Sequence, residues 1–449
     1  ESRETVRQFE GGRLERYSAR GEVLLVAHVA GTPSEMGRQY GVLVGEIVQR
    51  NADRLVGLFA GAGIPEMLVQ VILDSCWRRM KPHTPARFLE EMAAVAEGAS
   101  EAGFGVTLTD LERITVVTNL DMYKRDERLP AFLDEEALKV LSESGLELTN
   151  ELLGGDSPLS CTMFAAWGSR TVDGKMFSIR NLDWISQTGM HEDRLLTVYQ
   201  PECRNAFVSM GYGGVIGWLA GMNEKGISLS EVGSFSASEE LDGIPWVFMA
   251  RQVLEESDSL EDAVSIIRSA KHTIGYNYLV ADGDPDHIGE PEFRPRAAAF
   301  ETNFECCEVF YEDDPKEHEA VWTAPDGTKH PYGLPLKEAV RRADTAFGGC
   351  TRALQVSDDG PGDPENTGNP CGRDNEGSTY TDCHKPMYDM IRAYETGAEY
   401  VFPVRGSKVI EAGAPRKIGH EEMLNIAATV AHNTERLDEN DWNVMSVAF

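Results

Sequence analysis

The chain changes character once, at Gly154-Gly155-Asp156-Ser157-Pro158, and that change limits what it can fold into. Upstream, apolar residues recur at helical spacing. Thr32-Pro33-Ser34-Glu35 predicts a helix start, with Thr as N-cap, Pro at the first helical position and Glu at the third. Met36, Tyr40, Leu43, Ile47 and Leu55 continue that helix. Thr84-Pro85 opens another, with Phe88, Leu89, Met92, Val95, Ala96 and Ala99 on one face and Gly103 as its stop, and Thr109-Asp110-Leu111-Glu112 repeats the capping-box pattern. One short strand, residues 23–29, precedes them. Downstream, short apolar runs alternate with turn residues. Strands are predicted over 162–168 and 175–180 about an Asp173-Gly174 turn, then over 195–199, 206–210, 215–220, 226–232, 278–281, 297–300, 307–311 and 442–449, with helices over 246–268 and 420–432. A helical opening followed by many antiparallel strands predicts an α+β fold, stacked sheets covered by helices. The division into 1–160 and 161–449 then reads as a processing point inside one fold rather than a linker.

Composition excludes several function classes. Forty-two basic residues against 74 acidic ones give a formal charge of −32, which argues against nucleic acid or an anionic membrane as partner, since both need clustered Lys and Arg. No apolar run reaches the roughly 18–20 residues of a membrane span. Eight cysteines in 449 residues do not make a disulfide scaffold. Cys306 and Cys307 are adjacent, while Cys350, Cys371 and Cys383 fall in or beside one loop-rich segment, which could carry a disulfide in an exported protein or free thiols in a cytosolic one. No C-x-x-C and no H-E-x-x-H occurs, so neither metal nor cofactor is expected. Residues 357–378, rich in Gly, Pro, Asp and Asn, read as a surface insertion; their acids lack EF-hand spacing and suit a solvated loop better than a calcium site. The chain opens on Glu1 without an initiator Met, which fits either a removed leader or a trimmed sequence; both an exported or periplasmic and a cytoplasmic location stay open, with export slightly favoured.

Cys161 is the candidate nucleophile. It stands in Ser160-Cys161-Thr162-Met163-Phe164, at the start of a strand-like run, and the second strand ends in Arg180-Asn181-Leu182-Asp183-Trp184. Pairing about a tight Asp173-Gly174 turn sets residues near 161 opposite 184–186, so Cys161, Arg180 and Asp183 share one end of the hairpin. A carboxylate there can hold an ammonium or order a water; a guanidinium can stabilise a thiolate or hold a substrate carboxylate. A base is also required. None of the ten histidines is tied to Cys161 by a local pattern. Cutting the Ser160–Cys161 bond would expose an α-amine of pKa about 7.7–8.0 beside a thiol of about 8.5.

Cys161-Thr162, the Asp173-Gly174 turn and Arg180-Asn181-x-Asp183-Trp184 resemble the acyl-coenzyme A:6-aminopenicillanic acid acyltransferase family of N-terminal nucleophile hydrolases. More distantly they are similar to the choloylglycine hydrolases, in which a cysteine is likewise followed by R-N-x-D. Gly221-Met222-Asn223-Glu224-Lys225-Gly226, Asn277-Tyr278-Leu279-Val280-Ala281-Asp282 and the stretch from Gly31 to Gly41 extend the likeness over most of the chain. The resemblance implies an αββα four-layer sandwich. It also implies autocatalytic cleavage before Cys161 into two chains that stay associated, and a small acyl-amide substrate. Cys161 would be nucleophile and, through its freed amine, base; Asp183 would orient the amine, Arg180 would line the site, and Asn277 would donate to the oxyanion. Asn181 and Asn223 are expected to be structural. Two departures stand out: Ser160 occupies the place where these acyltransferases usually have glycine, and Gly233 stands where the choloylglycine enzymes have a polar oxyanion residue.

The reading is therefore a self-processing amidohydrolase or acyltransferase working through a Cys161 thioester, with homo-oligomerisation left open. The alternatives are an unprocessed ligand-binding relative and a Cys–His thiol hydrolase that never cuts itself.

Overall fold

The computed structural model describes residues 2–19, 21–61, 63–120, 125–148, 161–183, 189–217, 219–323, 327–355, 384–402, 407–430 and 443–448. The chain divides into two compact units that interleave in sequence: Glu1–Ser157 with Ser186–Glu224 and Glu240–Thr273, and Pro158–Ile185 with Lys225–Glu239 and Ile274–Phe449.

In the first unit, strands run in the order Ser2–Phe9, Gly12–Ala19, Glu22–Gly31, Arg194–Pro201, Phe207–Tyr212 and Ala220–Asn223. Neighbours are antiparallel except Glu22–Gly31 with Arg194–Pro201, a parallel pair registered at Leu25 and Leu195. The first two strands were not foreseen. Ser2–Phe9 is mostly exposed and polar, so it carries no apolar alternation to detect. The helix Pro33–Gly61 begins where its capping signal lies, with the Thr32 N–H donating to Glu35 at 2.7 Å. It packs closely on the helix Ala86–Glu101, where a Cβ at Gly41 or Gly98 would collide with backbone of the facing helix. The next capping box is Thr107 with Asp110, two residues earlier than expected, because Thr107 rather than Thr109 has the extended N-cap backbone. The single helix predicted over 246–268 is two, Trp246–Glu256 and Leu260–Ser269, the second restarted by Ser259 as N-cap.

The second unit holds two sheets. One is the antiparallel series Ile227–Gly233, Tyr276–Asp282, Arg296–Thr302 and Cys307–Tyr311; the other runs Ala339–Arg342, Thr162–Ala166, Phe177–Asp183 and Asn443–Ala448. The sheets pack on each other, and the helices His384–Thr396 and His420–Val430 cover the second one. Phe164, Ala166 and Ile179 join Met387, Ile391, Met423 and Ile426 in the core beneath those helices. Helix, sheet and sheet thus form successive layers in this unit, and the fold is the α+β class expected. Residues 357–378 lie outside the described residues.

Candidate active site

Cys161 directly precedes the strand Thr162–Ala166 and is 2% exposed. The strand pairs with Phe177–Asp183 through Thr162 with Asn181 and Met163 with Arg180. That register corrects the expected one. Residues 167–176 form a wider connection containing a short 3-10 turn at Gly168–Arg170, instead of a two-residue turn at Asp173-Gly174. Cys161 therefore falls level with Leu182, not with residues 184–186. Continuing the strand alternation puts Cys161 on the side of Met163 and Arg180, away from the helix-facing Phe164 and Ile179. Arg180 and Asp183 are still at the same end of the hairpin as Cys161. Asp183 closes its strand opposite Asn443; its side chain lies outside the described residues.

The Arg180 side chain is fully buried. Its Nε donates to the Glu231 carbonyl at 2.9 Å, and the guanidinium forms an ion pair with the Glu231 carboxylate. A guanidinium cannot discharge, so burial requires a counter-charge. Glu231 supplies it from the strand Ile227–Gly233. Sequence reasoning missed Glu231, although an acid within Ile227-Ser228-Leu229-Ser230-Glu231-Val232 is an anomaly in an otherwise uncharged strand.

Asp344 meets Cys161, and Asn277 holds the residues on either side of Asp344. The backbone N–H of Cys161 donates to Asp344 Oδ1 at 3.1 Å. Asn277, buried in the strand Tyr276–Asp282, donates from Nδ2 to the carbonyls of Ala343 at 2.8 Å and Thr345 at 3.3 Å. Both amide hydrogens of Asn277 are thus engaged, while its Oδ1 has no hydrogen-bond partner among the described residues. Asp344 had no sequence signal: it is one acid among 74, and only the fold brings it to residue 161. Gly275 permits the approach of the neighbouring chain, since a Cβ there would strike the Ser234 carbonyl.

The other candidates have structural surroundings. Asn181 Nδ2 donates to Thr162 Oγ1 and to the Ala427 carbonyl, tying the hairpin to the helix His420–Val430. Asn223 in the first unit donates to the carbonyls of Leu254 and Ser257. Cys306 and Cys350 form a disulfide, and burial pushes the Cys76 thiol up to about 12, leaving it inert. Among the described residues no cluster of His, Cys, Asp and Glu could hold a metal ion, and no helix is long and apolar enough to cross a membrane. A groove of about 810 Å³ beside Trp167, His287, Arg294 and Glu338 opens at the loop end of the hairpin. It is separated from Cys161 by the length of a strand, roughly 17 Å.

Residues 169–296 match the family described as acyl-coenzyme A:6-aminopenicillanic acid acyl-transferase, so the resemblance carried by Arg180-Asn181-x-Asp183 and Asn277 holds over this stretch. An uncharacterized protein of Archaeoglobus fulgidus is 27% identical over 265 residues, covering 57% of this chain and 41% of the relative. Protein dcd1A of Dictyostelium discoideum is 22% identical over 299 residues, covering 60% and 58%. The chain spans less than two thirds of the length of either relative. Among solved structures, a Caenorhabditis elegans N-acylethanolamine-hydrolyzing acid amidase ortholog aligns at 12% identity over 64% of this chain and 92% of its own, with a TM-score of 0.39. A conjugated bile acid hydrolase of Clostridium perfringens aligns at 14% identity over 64% and 85%, with a TM-score of 0.33.

Proposed function

We propose that this protein is a self-processing amidohydrolase that cleaves a linear N-acyl amide through a Cys161 thioester. The observation that carries this reading is the ladder pairing Thr162 with Asn181 and Met163 with Arg180. It sets a thiol at the open end of a buried hairpin, level with the strand end that carries Arg180 and Asp183; that second strand lies within the matched residues 169–296, and Cys161 stands eight positions before them.

In this reading the Ser160–Cys161 bond is cut, Cys161 Sγ attacks the substrate carbonyl carbon, and the freed α-amine takes the thiol proton and passes it to the leaving amine. Asp183 orients the amine. Arg180, neutralised by Glu231, holds the wall of the site. Asn277 supplies an oxyanion donor by giving up its longer bond to Thr345. Water then resolves the acyl-enzyme; an amine acceptor in its place would make the same site an acyltransferase. The substrate is an acylated amine, amino acid or small peptide, and the two processed segments stay associated.

One observation favours a second reading, an uncut protein that binds a ligand without turnover: both Nδ2 hydrogens of Asn277 are already donated within the chain. Denaturing mass spectrometry separates the two. Cleavage yields segments 1–160 and 161–449 from the wild type and one intact chain from Cys161→Ala. A wild type that remains intact and inactive toward a panel of N-acyl-4-nitroanilides supports the binding reading and sinks the first.

A further inference from the structure

We infer that Asp344 is a second carboxylate, in addition to Asp183, that holds the Cys161 nitrogen, first as the amide of the bond to be cut and then as the catalytic amine. This rests on the reading proposed above and adds to it a residue that no local motif marks. The Asp344 Oδ1 lies 3.1 Å from that nitrogen, across 183 positions of sequence.

The segment bearing Asp344 is pinned on both sides. Asn277 Nδ2 bonds the carbonyls of Ala343 and Thr345. Gln355 Nε2 donates to the Asp344 carbonyl at 2.6 Å and to Ser234 Oγ at 3.0 Å, while its Oε1 accepts from the Ala346 N–H at 2.7 Å. Two side-chain amides thus fix four consecutive residues, and the Asp344 side chain among them reaches the Cys161 nitrogen. Through its shorter bond, to the Ala343 carbonyl at 2.8 Å, Asn277 also positions Asp344.

The contact changes strength along the reaction. Before cleavage it joins a neutral amide N–H to a carboxylate. In the cut, Cys161 Sγ bonds to the Ser160 carbonyl carbon, the carbon–nitrogen bond breaks, and the thiol proton passes to the departing nitrogen. Water then hydrolyses the thioester, leaving a Ser160 carboxylate and restoring the thiol. The new amine takes up a further proton in each turnover. The uncut contact already has one ionised partner; protonation of the nitrogen adds the opposite charge and with it a Coulomb attraction, so Asp344 favours the nitrogen as it leaves and as it becomes ammonium. Asp344 thereby assists the cut and raises the basicity of the mature amine.

The test compares wild type with Asp344→Asn and Asp344→Glu, each verified as folded by circular dichroism. Cleavage is followed by intact mass, and the Cys161 amine is titrated by competitive acetic anhydride labelling of the segment beginning at Cys161. Asp344→Asn is expected to slow cleavage at least tenfold and to lower the amine midpoint by about one pH unit, with Asp344→Glu partly restoring both. A folded Asp344→Asn chain that stays uncut while Asp344→Glu is cut supports the inference equally. Cleavage at the wild-type rate with an unchanged midpoint overturns it and leaves the proposed function standing. A wild type that is active yet uncut overturns the proposed function itself.

Discussion

Replacing Arg180 by Met tests whether this guanidinium and Glu231 form one electrostatic unit. The Arg180 side chain is 0% exposed and that of Glu231 is 5% exposed. Removing one partner of such a pair costs about 3–5 kcal/mol, because the remaining charge stays buried without its counter-ion. Coulomb attraction at contact in an effective dielectric of about 20 has the same scale, about 5 kcal/mol. Arg180→Met and Glu231→Leu are therefore each expected to lower the thermal midpoint by on the order of 10 °C. The double variant Arg180→Met/Glu231→Leu removes both charges, and its stability should return to within about 2 kcal/mol of wild type. The corresponding coupling energy is at least about 4 kcal/mol. Urea unfolding followed by tryptophan fluorescence reads all four proteins. Soluble double variant beside insoluble singles would be the same result in another form. Under the proposed function, cleavage and turnover are not expected to recover in the double variant, since an apolar pair lacks the charge and donors assigned there to Arg180. Losses in the two singles that merely add in the double would refute the argument: Arg180 and Glu231 would then act independently, and the buried pair would not explain why an arginine sits there.

Other consequences can be measured separately. Burial lowers the pKa of His272, whose Nε2 bonds the Ile267 carbonyl, to about 4 from its ordinary 6.5. The unfolded chain therefore binds more protons between those values, and stability falls by about 3 kcal/mol as pH drops through that window, being intact above it. Urea midpoints at pH 7.5 and 4.5 should differ less in His272→Gln than in wild type; equal differences would exclude His272 as the source. The Cys306–Cys350 disulfide spans 44 residues, a loop whose closure is worth about 4 kcal/mol in the chain-entropy account. Cys306→Ser/Cys350→Ser should melt well below wild type in the absence of reductant and show no further loss when reductant is added. Arg251, fully buried between Glu91 and Glu255, should tolerate replacement by Met poorly, since two carboxylates would lose their common cation. Thermal melting of Arg251→Met checks this, and a shift under a few degrees would contradict it.

Much of the local architecture was legible because local physics decides it. Thr32 and Glu35 cap the helix they were expected to cap, Cys307–Tyr311 is a strand as predicted, and the segments around Phe207, Tyr278 and Ala298 are strands because apolar β-formers between turn residues have few other outcomes. The polar strands Ser2–Phe9 and Gly12–Ala19 escaped detection because neighbouring strands, more than apolar periodicity, determine them. At the site, Cys161 and the Arg180-Asn181-Leu182-Asp183 run announce themselves by residue type and spacing. Their register does not, because it follows from a ten-residue connection and not from the turn dipeptide.

Sequence alone determined that this chain carries a cysteine at the head of a strand and an arginine and an aspartate at the end of the next. The folded structure decided which charges answer them: Glu231 on Arg180, Asp344 on the Cys161 nitrogen, Asn277 and Gln355 on the segment between. Glu231, Asn277 and Asp344 lie 51, 66 and 183 positions from the residues they meet, beyond the span of a helix turn or tight hairpin, and Gln355 lies 11 from Asp344. They meet because two sheets and their connecting loops are stacked by burial of apolar side chains. Burial is non-directional and reads composition over the whole chain, so no short window of sequence can foretell which polar groups it brings into contact.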